Sequence, residues 1–440
     1  MRVSGPLAAR MLVAIAGALP EPRRASLRTI RDPETGQEVD RGIVLFFAGP
    51  SSFTGEDVVE ILLHGGRAVI ASVLALLGRL GCRLAEPGEF ARRAFDNGKI
   101  DLTEAEGIAD LIDAETEAQH RQAVRQAGGE LHRLYEGWRA ELVTAMALTE
   151  ASIDFSDEAD VADDAMARAR EMVVALTARI AAHLKDGRRG EILRDGFRVV
   201  LAGPPNVGKS SLLNALARRD AAIVSPEAGT TRDVIEVRLD LEGLPVIVSD
   251  TAGIRAAEGD VEREGIRRTL ARGREADLVL WLMDARAPAW EVPEEFAGDV
   301  GRVMWVMNKG DLVDTECLAQ AAAPHPGPLP VSLRFHGERQ NVFVSALTGA
   351  GMAELVSRIA ALTRERIAPD DAPVITQARH RVALEDCARC LQDNLAQDVR
   401  HAELAAEDLR RSANALGRIT GRVDSEQVLD QIFLRFCIGK

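Results

Sequence analysis

The stretch GPPNVGKSS, residues 203–211, follows the apolar segment FRVVLA and precedes the helical pattern SLLNALAR. An apolar strand, a glycine-containing loop and a helix in this order are the setting that a G-x-x-x-x-G-K-[ST] phosphate-binding loop requires. Its glycines allow backbone N–H groups to turn towards phosphate oxygens. We expect Lys209 to reach the β- and γ-phosphates of a nucleotide and the Ser210 hydroxyl to bind Mg²⁺.

Four further segments follow in the order that a guanine-nucleotide-binding domain requires. GTTRD (229–233) supplies Thr231 for Mg²⁺, and DTAG (250–253) ends an apolar segment. The carboxylate of NKGD (308–311) can accept hydrogen bonds from the N1–H and 2-amino groups of guanine, and SAL (345–347) can close over the base. The motifs predict that GTP is bound by Asn206, Val207, Gly208, Lys209, Ser210, Ser211, Gly229, Thr230, Thr231, Asp250, Thr251, Ala252, Gly253, Asn308, Lys309, Asp311, Ser345, Ala346 and Leu347.

The residues that promote hydrolysis are less obvious. In Ras-like proteins a glutamine after the D-x-x-G motif orients the attacking water, whereas this chain has Ile254 at that position. Arg232 and Arg255 are the nearest candidates for an arginine that stabilises the transition state. Asn206 either stabilises a turn or coordinates a monovalent cation, and Glu262 is either a solvated helix carboxylate or part of a mobile switch. These residues alone leave both pairs of alternatives open.

Composition restricts the class of protein. The formal net charge of −14 argues against non-specific coating of nucleic acid. No apolar run approaches the ~18–20 residues of a membrane span, and MRVSGPLAAR lacks the features of a signal peptide. Five scattered cysteines predict a reduced, cytoplasmic protein. We interpret the isolated pair Cys387 and Cys390 as two residues on one helix face.

The basic residues are almost all arginine. Lysine and arginine together number 54, and arginine cannot replace lysine where a compact ammonium group is needed. Each lysine is therefore a candidate for a special role. The lysines are Lys99, Lys185, Lys209, Lys309 and Lys440.

The pattern along the chain predicts a multidomain protein. Residues 1–98 mix apolar runs with turns, as in an α+β domain, and residues 99–195 have helical periodicity. Residues 196–366 alternate short apolar strands with helices, which predicts an α/β P-loop GTPase domain with a mostly parallel sheet. Residues 367–440 are helical again, so one all-α domain is split by the inserted GTPase domain. The predicted strands of that domain are FRVVLAG, LPVIVSD, LVLWLMDA, RVMWVMNK and NVFVSAL.

Together these segments resemble the MnmE (TrmE) family of tRNA modification GTPases, among the TrmE-Era-EngA-YihA-Septin-like GTPases. The resemblance covers essentially the whole chain. An Era- or EngA-type GTPase of ribosome assembly is the alternative, but residues 367–440 lack the G-x-x-G loop of its RNA-binding domain. The segments that carry the resemblance are GPPNVGKSSLLNAL, GTTRD, DTAGIR, VEREGI, SFTGEDVVEILLHGG, EPGEFARRAFDNGKIDLTEAEGIADLIDA and FCIGK.

The resemblance implies a K⁺-dependent GTP hydrolase that forms a homodimer through its N-terminal domain. That domain would bind 5-formyltetrahydrofolate or a related one-carbon folate. With a partner, MnmG, which uses FAD and NADH, such a protein adds a carboxymethylaminomethyl or aminomethyl group to C5 of the wobble uridine of certain tRNAs. The GTPase domains would pair across their nucleotide faces.

The resemblance also implies roles for individual residues. Glu262 would orient the attacking water indirectly, and the Cys437 thiol would serve the modification reaction. The loop that closes around K⁺ would add Ser225, Pro226, Glu227 and Ala228 to the GTP-binding set. The K⁺ ligands would be Asn206, Ser225, Glu227 and Thr230, and the folate ligands Arg2, Glu60, Lys99 and Lys440. Lys185 alone among the lysines receives no role.

Both chain ends carry expectations. The family has a strand and a glycine-rich turn before the position of Arg2, so we expect the N-terminal domain of this sequence to be truncated at its start. At the other end, FLRFCIGK is too apolar for a frayed tail. The side chains of Phe433, Leu434, Phe436 and Ile438 predict that the tail packs against the protein and carries Cys437 inward.

Overall fold

The structure is a computed structural model that describes most of the chain. The described residues are 1–154, 159–219, 222–223, 236–250, 276–288, 303–313, 341–367, 373–397, 402–423, 432–434 and 436. They form two compact units. The first comprises Met1–Ile112, Val124–Ala178 and Ala383–Lys440, and the second comprises Asp113–Ala123 and Arg179–Val382. This grouping does not test the four sequence-based boundaries, which stay predictions.

The first unit opens with a four-stranded antiparallel sheet in the order β1-β4-β3-β2. One face of the sheet packs against two helices and buries Ile30, Val44 and Ile61 together with Leu12 and Leu76. The alternation of buried and exposed residues along β3 is the pattern of a sheet with only one covered face. The elements are β1 (Arg2–Ser4), α1 (Ala8–Ala16), β2 (Ser26–Arg31), β3 (Glu38–Phe47), β4 (Val58–Leu62) and α2 (Arg67–Arg79).

Helices dominate the middle and the end of the chain. The Glu136 carboxylate of α6 accepts hydrogen bonds from Thr420, the last residue of α11, and from Arg422 beyond it. Cys387 and Cys390 are buried on α10, and burial raises the pKa of Cys387 to about 12. These helices are α3 (Glu89–Asp96), α4 (Leu102–Asp113), α5 (Glu117–Ala127), α6 (Glu130–Asp154), α7 (Ala159–Asp195), α10 (Ala378–Ala396) and α11 (Ala402–Thr420).

A six-stranded sheet in the order β10-β9-β8-β5-β7-β6 forms the centre of the second unit. All its pairings are parallel except that of β6 with β7. Its core includes Leu201, Leu280 and Val306 from the strands and Leu213 and Ile359 from the helices. The elements are β5 (Phe197–Ala202), α8 (Lys209–Ala217), β6 (Glu236–Leu241), β7 (Leu244–Asp250), β8 (Leu278–Asp284), β9 (Val303–Asn308), the 3₁₀ turn Gly310–Leu312, β10 (Val342–Phe343) and α9 (Met352–Arg366).

The predicted fold class is confirmed: an α+β sheet domain, helices and a mostly parallel α/β sheet are all present. Two strands differ from expectation. β10 is only two residues long, because the chain turns away after Phe343 into the loop that contains Ser345. β6 was not predicted, because its residues EVRLDL alternate polar and apolar side chains at the edge of the sheet and form no apolar run.

Candidate functional site

The phosphate-binding loop connects the carboxyl end of β5 to the first residue of α8. Gly208 precedes the helix with φ +94°, and a Cβ on this residue would overlap Nδ2 of Asn308. Asn206 has φ +61°, a conformation that few residues other than glycine adopt. The loop thus turns through two left-handed residues, Asn206 and Gly208, into the N-terminus of α8, and a glycine-containing loop at a helix N-terminus is suited to binding phosphate.

Lys209 and Ser210 are the first two residues of α8, directly after the phosphate-binding loop. The Lys209 ammonium donates to the carbonyl oxygens of Gly203 and Pro204, both at 2.9 Å, and burial lowers its pKa. Ser210 Oγ donates to Asp250 Oδ2 at 2.7 Å, and Asp250 is only 2% exposed. A hydroxyl and a carboxylate oxygen at this spacing are donors of the kind that Mg²⁺ prefers, so the two residues fit a magnesium site.

Asn308 connects the two sides of the predicted GTP site. Its Nδ2 donates to the carbonyl oxygen of Val207 at 2.8 Å, and its Oδ1 accepts from the backbone N–H of Ala346 at 3.1 Å. Asp311 is exposed and available to a base. Leu347 is 87% exposed.

The structure adds Asp284, which the sequence analysis missed. Asp284 ends β8 and lies directly beside Asn308 in the parallel ladder with β9. Its Oδ2 accepts a hydrogen bond from Lys309 Nζ at 2.8 Å, and Arg286 holds both carboxylate oxygens. Hydrogen bonds from Arg286 and Lys309 lower the pKa of Asp284 well below its usual value. The sequence contains one indication of this role: the predicted strand LVLWLMD ends in an acidic residue, and the next predicted strand leads into NKGD.

The described folate candidates lie at one end of the N-terminal sheet. Arg2 pairs with Glu60 across β1 and β4 at 2.7 Å, and its guanidinium lies 5.7 Å from the ring centre of Phe90. Lys99, just after α3, donates to the carbonyl oxygen of Pro50 at 2.9 Å. All three candidates keep part of their surface exposed, so charged groups of both signs are available to a ligand there.

A hydrogen-bond network joins β1, the loop after β3 and the α3 region. Thr54 bonds to Ser4 at 2.7 Å through its hydroxyl and accepts from Asn97 Nδ2 at 2.7 Å through its carbonyl oxygen. Arg93 of α3 pairs with Glu56 at 2.9 Å and with Glu89 at 2.8 Å. The loop after β3 is therefore fixed to β1 on one side and to α3 on the other.

The C-terminal tail packs against α3 and α4. Phe433 and Phe436 are buried in a cluster with Ala91 and Leu102, and their ring centres lie 5.9 Å apart. Leu434 is 72% exposed, so the expectation that it packs inward was wrong: it sits in the turn between the two buried phenylalanines.

Several predicted site residues lie outside the described part of the chain. They are Ser225, Pro226, Glu227, Ala228, Gly229, Thr230, Thr231, Thr251, Ala252, Gly253, Glu262, Cys437 and Lys440, together with Ile254, Arg232, Arg255 and Ile438.

Comparisons with known proteins cover the whole chain. A family model described as the MnmE helical domain matches residues 102–437, and one described as the GTP-binding protein TrmE N-terminus matches residues 1–99. This chain belongs to the MnmE family of tRNA modification GTPases. The MnmE protein of Parvibaculum lavamentivorans is 53% identical, with 100% of this chain and 96% of that protein covered. The MnmE protein of Rhodopseudomonas palustris strain BisB5 is 51% identical, with 100% and 95% covered. The family predicted from the motifs is thus confirmed.

Several solved GTP-binding structures are similar to part of the chain. The G domain of the T. maritima FeoB iron transporter is 25% identical and covers 38% of this chain and 98% of its own, with a TM-score of 0.26. Membership of the MnmE family rests on the sequence comparisons and not on this TM-score. Among the described residues, no three His, Cys, Asp or Glu side chains cluster as metal ligands, and no helix is long and apolar enough to span a membrane.

Proposed function

We propose that this MnmE-family chain is a cytoplasmic, K⁺-dependent GTP hydrolase of tRNA modification. With an FAD-dependent MnmG partner and a one-carbon folate, it adds a carboxymethylaminomethyl or aminomethyl group to C5 of the wobble uridine in certain tRNAs. Family membership supports the role of a GTPase in tRNA modification. It also favours this role over ribosome assembly, because the matched helical domain reaches almost to the C-terminus.

The loop geometry at Asn206 is the observation that carries the proposed K⁺ dependence. The chain has Ile254 where a water-orienting glutamine would stand, so another group must orient the water, and a bound cation can supply the positive charge that an arginine finger supplies in related GTPases. The Asn206 backbone is left-handed and its carbonyl oxygen is held by Lys309, while its side chain is exposed. Together with Ser225, Glu227 and Thr230, Asn206 would hold K⁺, which supplies a positive charge beside the phosphates when bound.

Other residues would hold Mg²⁺ and orient the attacking water. Ser210 and Thr231 would hold Mg²⁺, with Asp250 orienting the Ser210 hydroxyl through the 2.7 Å hydrogen bond. Mg²⁺ would neutralise part of the phosphate charge. Glu262 would orient the attacking water indirectly.

An apolar row on the N-terminal sheet supports a homodimer. Leu27 of β2, Ile43 of β3 and Leu62 of β4 lie directly opposite one another in the ladder, on the face that α1 and α2 do not cover. Their exposed fractions are 56%, 41% and 51%. Aligned large apolar side chains on an open sheet face are typical of an interaction surface. We propose that a second copy of the chain covers this row.

The N-terminal charged residues support the folate proposal. Arg2, Lys99 and Lys440 would face the carboxylates of a folate, and Glu60 would accept hydrogen bonds from its N–H groups. Because Phe433 and Phe436 hold the tail against α3 and α4, the tail would bring the Cys437 thiol towards this domain. Its chemical role could be that of a nucleophile, a proton donor or a group that orients substrate.

Turnover in different salts tests the hydrolytic part of the proposal. GTP hydrolysis should be much faster in KCl than in NaCl at equal ionic strength, since a transition-state charge is worth about 10³–10⁵ in the rate of related GTPases. Equal turnover in the two salts would refute K⁺ dependence.

The variant Glu262→Ala tests the orientation of the attacking water. It should lower kcat for GTP hydrolysis more than it lowers GTP affinity. The opposite pattern would mean that Glu262 only shapes the binding pocket.

A single cysteine variant tests the modification part. Cys437→Ser keeps the size of the side chain and removes the thiol. GTP hydrolysis should stay near the wild-type rate, while wobble-uridine modification should be abolished with MnmG, tRNA, GTP and the one-carbon donor all present. If this variant modifies tRNA at the normal rate, the Cys437 thiol contributes only to packing.

A further inference from the structure

A continuous set of contacts runs from the end of β8 to the phosphate-binding loop. Lys309 Nζ donates both to Asp284 Oδ2 and to the carbonyl oxygen of Asn206, each at 2.8 Å. Arg286 donates to Asp284 Oδ1 from Nε at 3.0 Å and to Oδ2 from Nη2 at 2.7 Å. The backbone N–H of Arg286 also donates to Oδ1 at 3.0 Å. Arg286 thus holds both carboxylate oxygens of Asp284, and Oδ2 accepts from Lys309 as well.

We propose that Asp284 is a positioning residue that, through Lys309, sets the affinity of the phosphate-binding loop for its monovalent cation. This proposal rests on the proposed K⁺ dependence. It extends that dependence to Asp284, which is assigned no contact with the phosphates or with the cation. Asp284 acts only through the lysine.

The first reason is conformational. The Asn206 backbone is left-handed, a conformation that asparagine adopts more readily than other residues except glycine and can also leave at little cost. The hydrogen bond from Lys309 to the Asn206 carbonyl oxygen fixes this conformation from outside the loop. Because a lysine side chain is flexible, the hydrogen bond holds the loop only if the ammonium is itself fixed, and Asp284 fixes it. The Asn206 side chain is then kept on the exposed side, where a cation can reach it.

The second reason is electrostatic. The Lys309 ammonium contacts the same residue that would bind K⁺, and two positive charges this close repel one another. The Asp284 carboxylate neutralises the ammonium at 2.8 Å, in a setting where both side chains are largely shielded from water. Without it, the cation would have to bind next to an uncompensated charge. Both effects weaken cation binding in the same direction when the carboxylate is lost.

Asp284→Asn is the test, because asparagine keeps the shape of aspartate and removes its charge. The matched control is Asp195→Asn, the same change at an exposed residue just before β5, at the end of that strand opposite the phosphate-binding loop. Two readouts are compared over a KCl titration with NaCl keeping ionic strength constant. One is GTP turnover, and the other is the shift in Tm of the full chain bound to a non-hydrolysable GTP analogue, which reports cation binding without catalysis.

The half-saturating K⁺ concentration should rise about tenfold in both readouts for Asp284→Asn, as expected for the loss of a charge-assisted hydrogen bond. At saturating K⁺ the KM for GTP should return close to the wild-type value, which a general loss of structure would not allow. Asp195→Asn should behave as wild type.

Three results would overturn the proposal. An unchanged half-saturating K⁺ concentration in Asp284→Asn would refute the positioning role alone, provided that the wild-type protein prefers K⁺. A raised KM for GTP that no K⁺ concentration restores would make Asp284 a residue of the nucleotide pocket or of the strand end. Equal wild-type behaviour in KCl and NaCl would refute the proposed K⁺ dependence and this inference with it.

Discussion

Gly88→Ala should loosen the C-terminal tail. Gly88 precedes α3 with φ +68°, and a Cβ built on it would lie 2.5 Å from the carbonyl oxygen of Phe433 and 2.9 Å from its Cβ. A backbone oxygen cannot rotate away as the end of a long side chain can, so the tail must move. Gly81 provides a matched control: its φ is +90°, and a Cβ there would meet nothing within 4 Å.

The size of the effect follows from what each variant loses. Both alanines pay about 1–2 kcal/mol for a left-handed backbone. Only Gly88→Ala also disturbs the packing of Phe433 and Phe436, whose full exposure would cost roughly 1.5–3 kcal/mol each. If relaxation keeps part of that packing, the tail loses about 2 kcal/mol, which corresponds to about a 30-fold larger open population.

Carboxypeptidase digestion followed by mass spectrometry measures that population. At low protease concentration the release rate tracks the open fraction of the tail. Release from Gly88→Ala should be about 30-fold faster than from Gly81→Ala. Because the tail carries Cys437, tRNA modification should also fall in Gly88→Ala while GTP turnover stays unchanged. Equal release rates from the two variants would show that the approach of Phe433 to Gly88 does not hold the tail.

Three further predictions follow from other parts of the structure. Ile43→Arg places a charge in the centre of the apolar row, so the dimer should dissociate about 100-fold more easily in sedimentation experiments, and an unchanged dimer would contradict the assigned surface. Gly208→Ala would displace Asn308, so calorimetry should detect a large loss of GTP affinity in a folded protein. The hydrogen bond from Arg83 helps lower the pKa of Glu89 from 4.5 to about 2, so the stabilisation is complete above pH 4.5 and is lost as the pH falls towards 2. Acid unfolding should therefore be steeper for wild type than for Glu89→Gln, and parallel curves would contradict this.

The nucleotide motifs could be read from the sequence because their residues are close along the chain. The contact between Lys209 and the Gly203 carbonyl oxygen follows from the turn of the loop, and the helix that starts at Lys209 follows from the apolar pattern after it. Ser210 and Asp250 are farther apart in the sequence, but the loop that leads to Ser210 leaves the carboxyl end of β5, and Asp250 ends the neighbouring parallel strand β7. Motif spacing therefore implied their proximity.

Contacts that depend on strand register could not be read in this way. Asp284 meets Lys309 only because β8 and β9 pair with Asp284 beside Asn308, and a shift of one residue would turn the carboxylate to the other face. The row of Leu27, Ile43 and Leu62 likewise exists only once three strands are aligned. No periodicity within one strand distinguishes such a row from scattered apolar residues.

The scarcity of lysine gains a physical explanation from the described residues. Lys99, Lys209 and Lys309 each donate to backbone carbonyl oxygens of a loop, at 2.8–2.9 Å. Each of them therefore fixes a turn of the main chain with a compact ammonium group that fits among carbonyl oxygens. The planar guanidinium of arginine is larger and directs its N–H groups in a fixed fork, so it suits carboxylates better than a tight loop. Lys185, which received no role, lies instead on the exposed surface of α7. Of the four lysines that the structure describes, three thus hold the shape of a loop, and Lys185 is the exception.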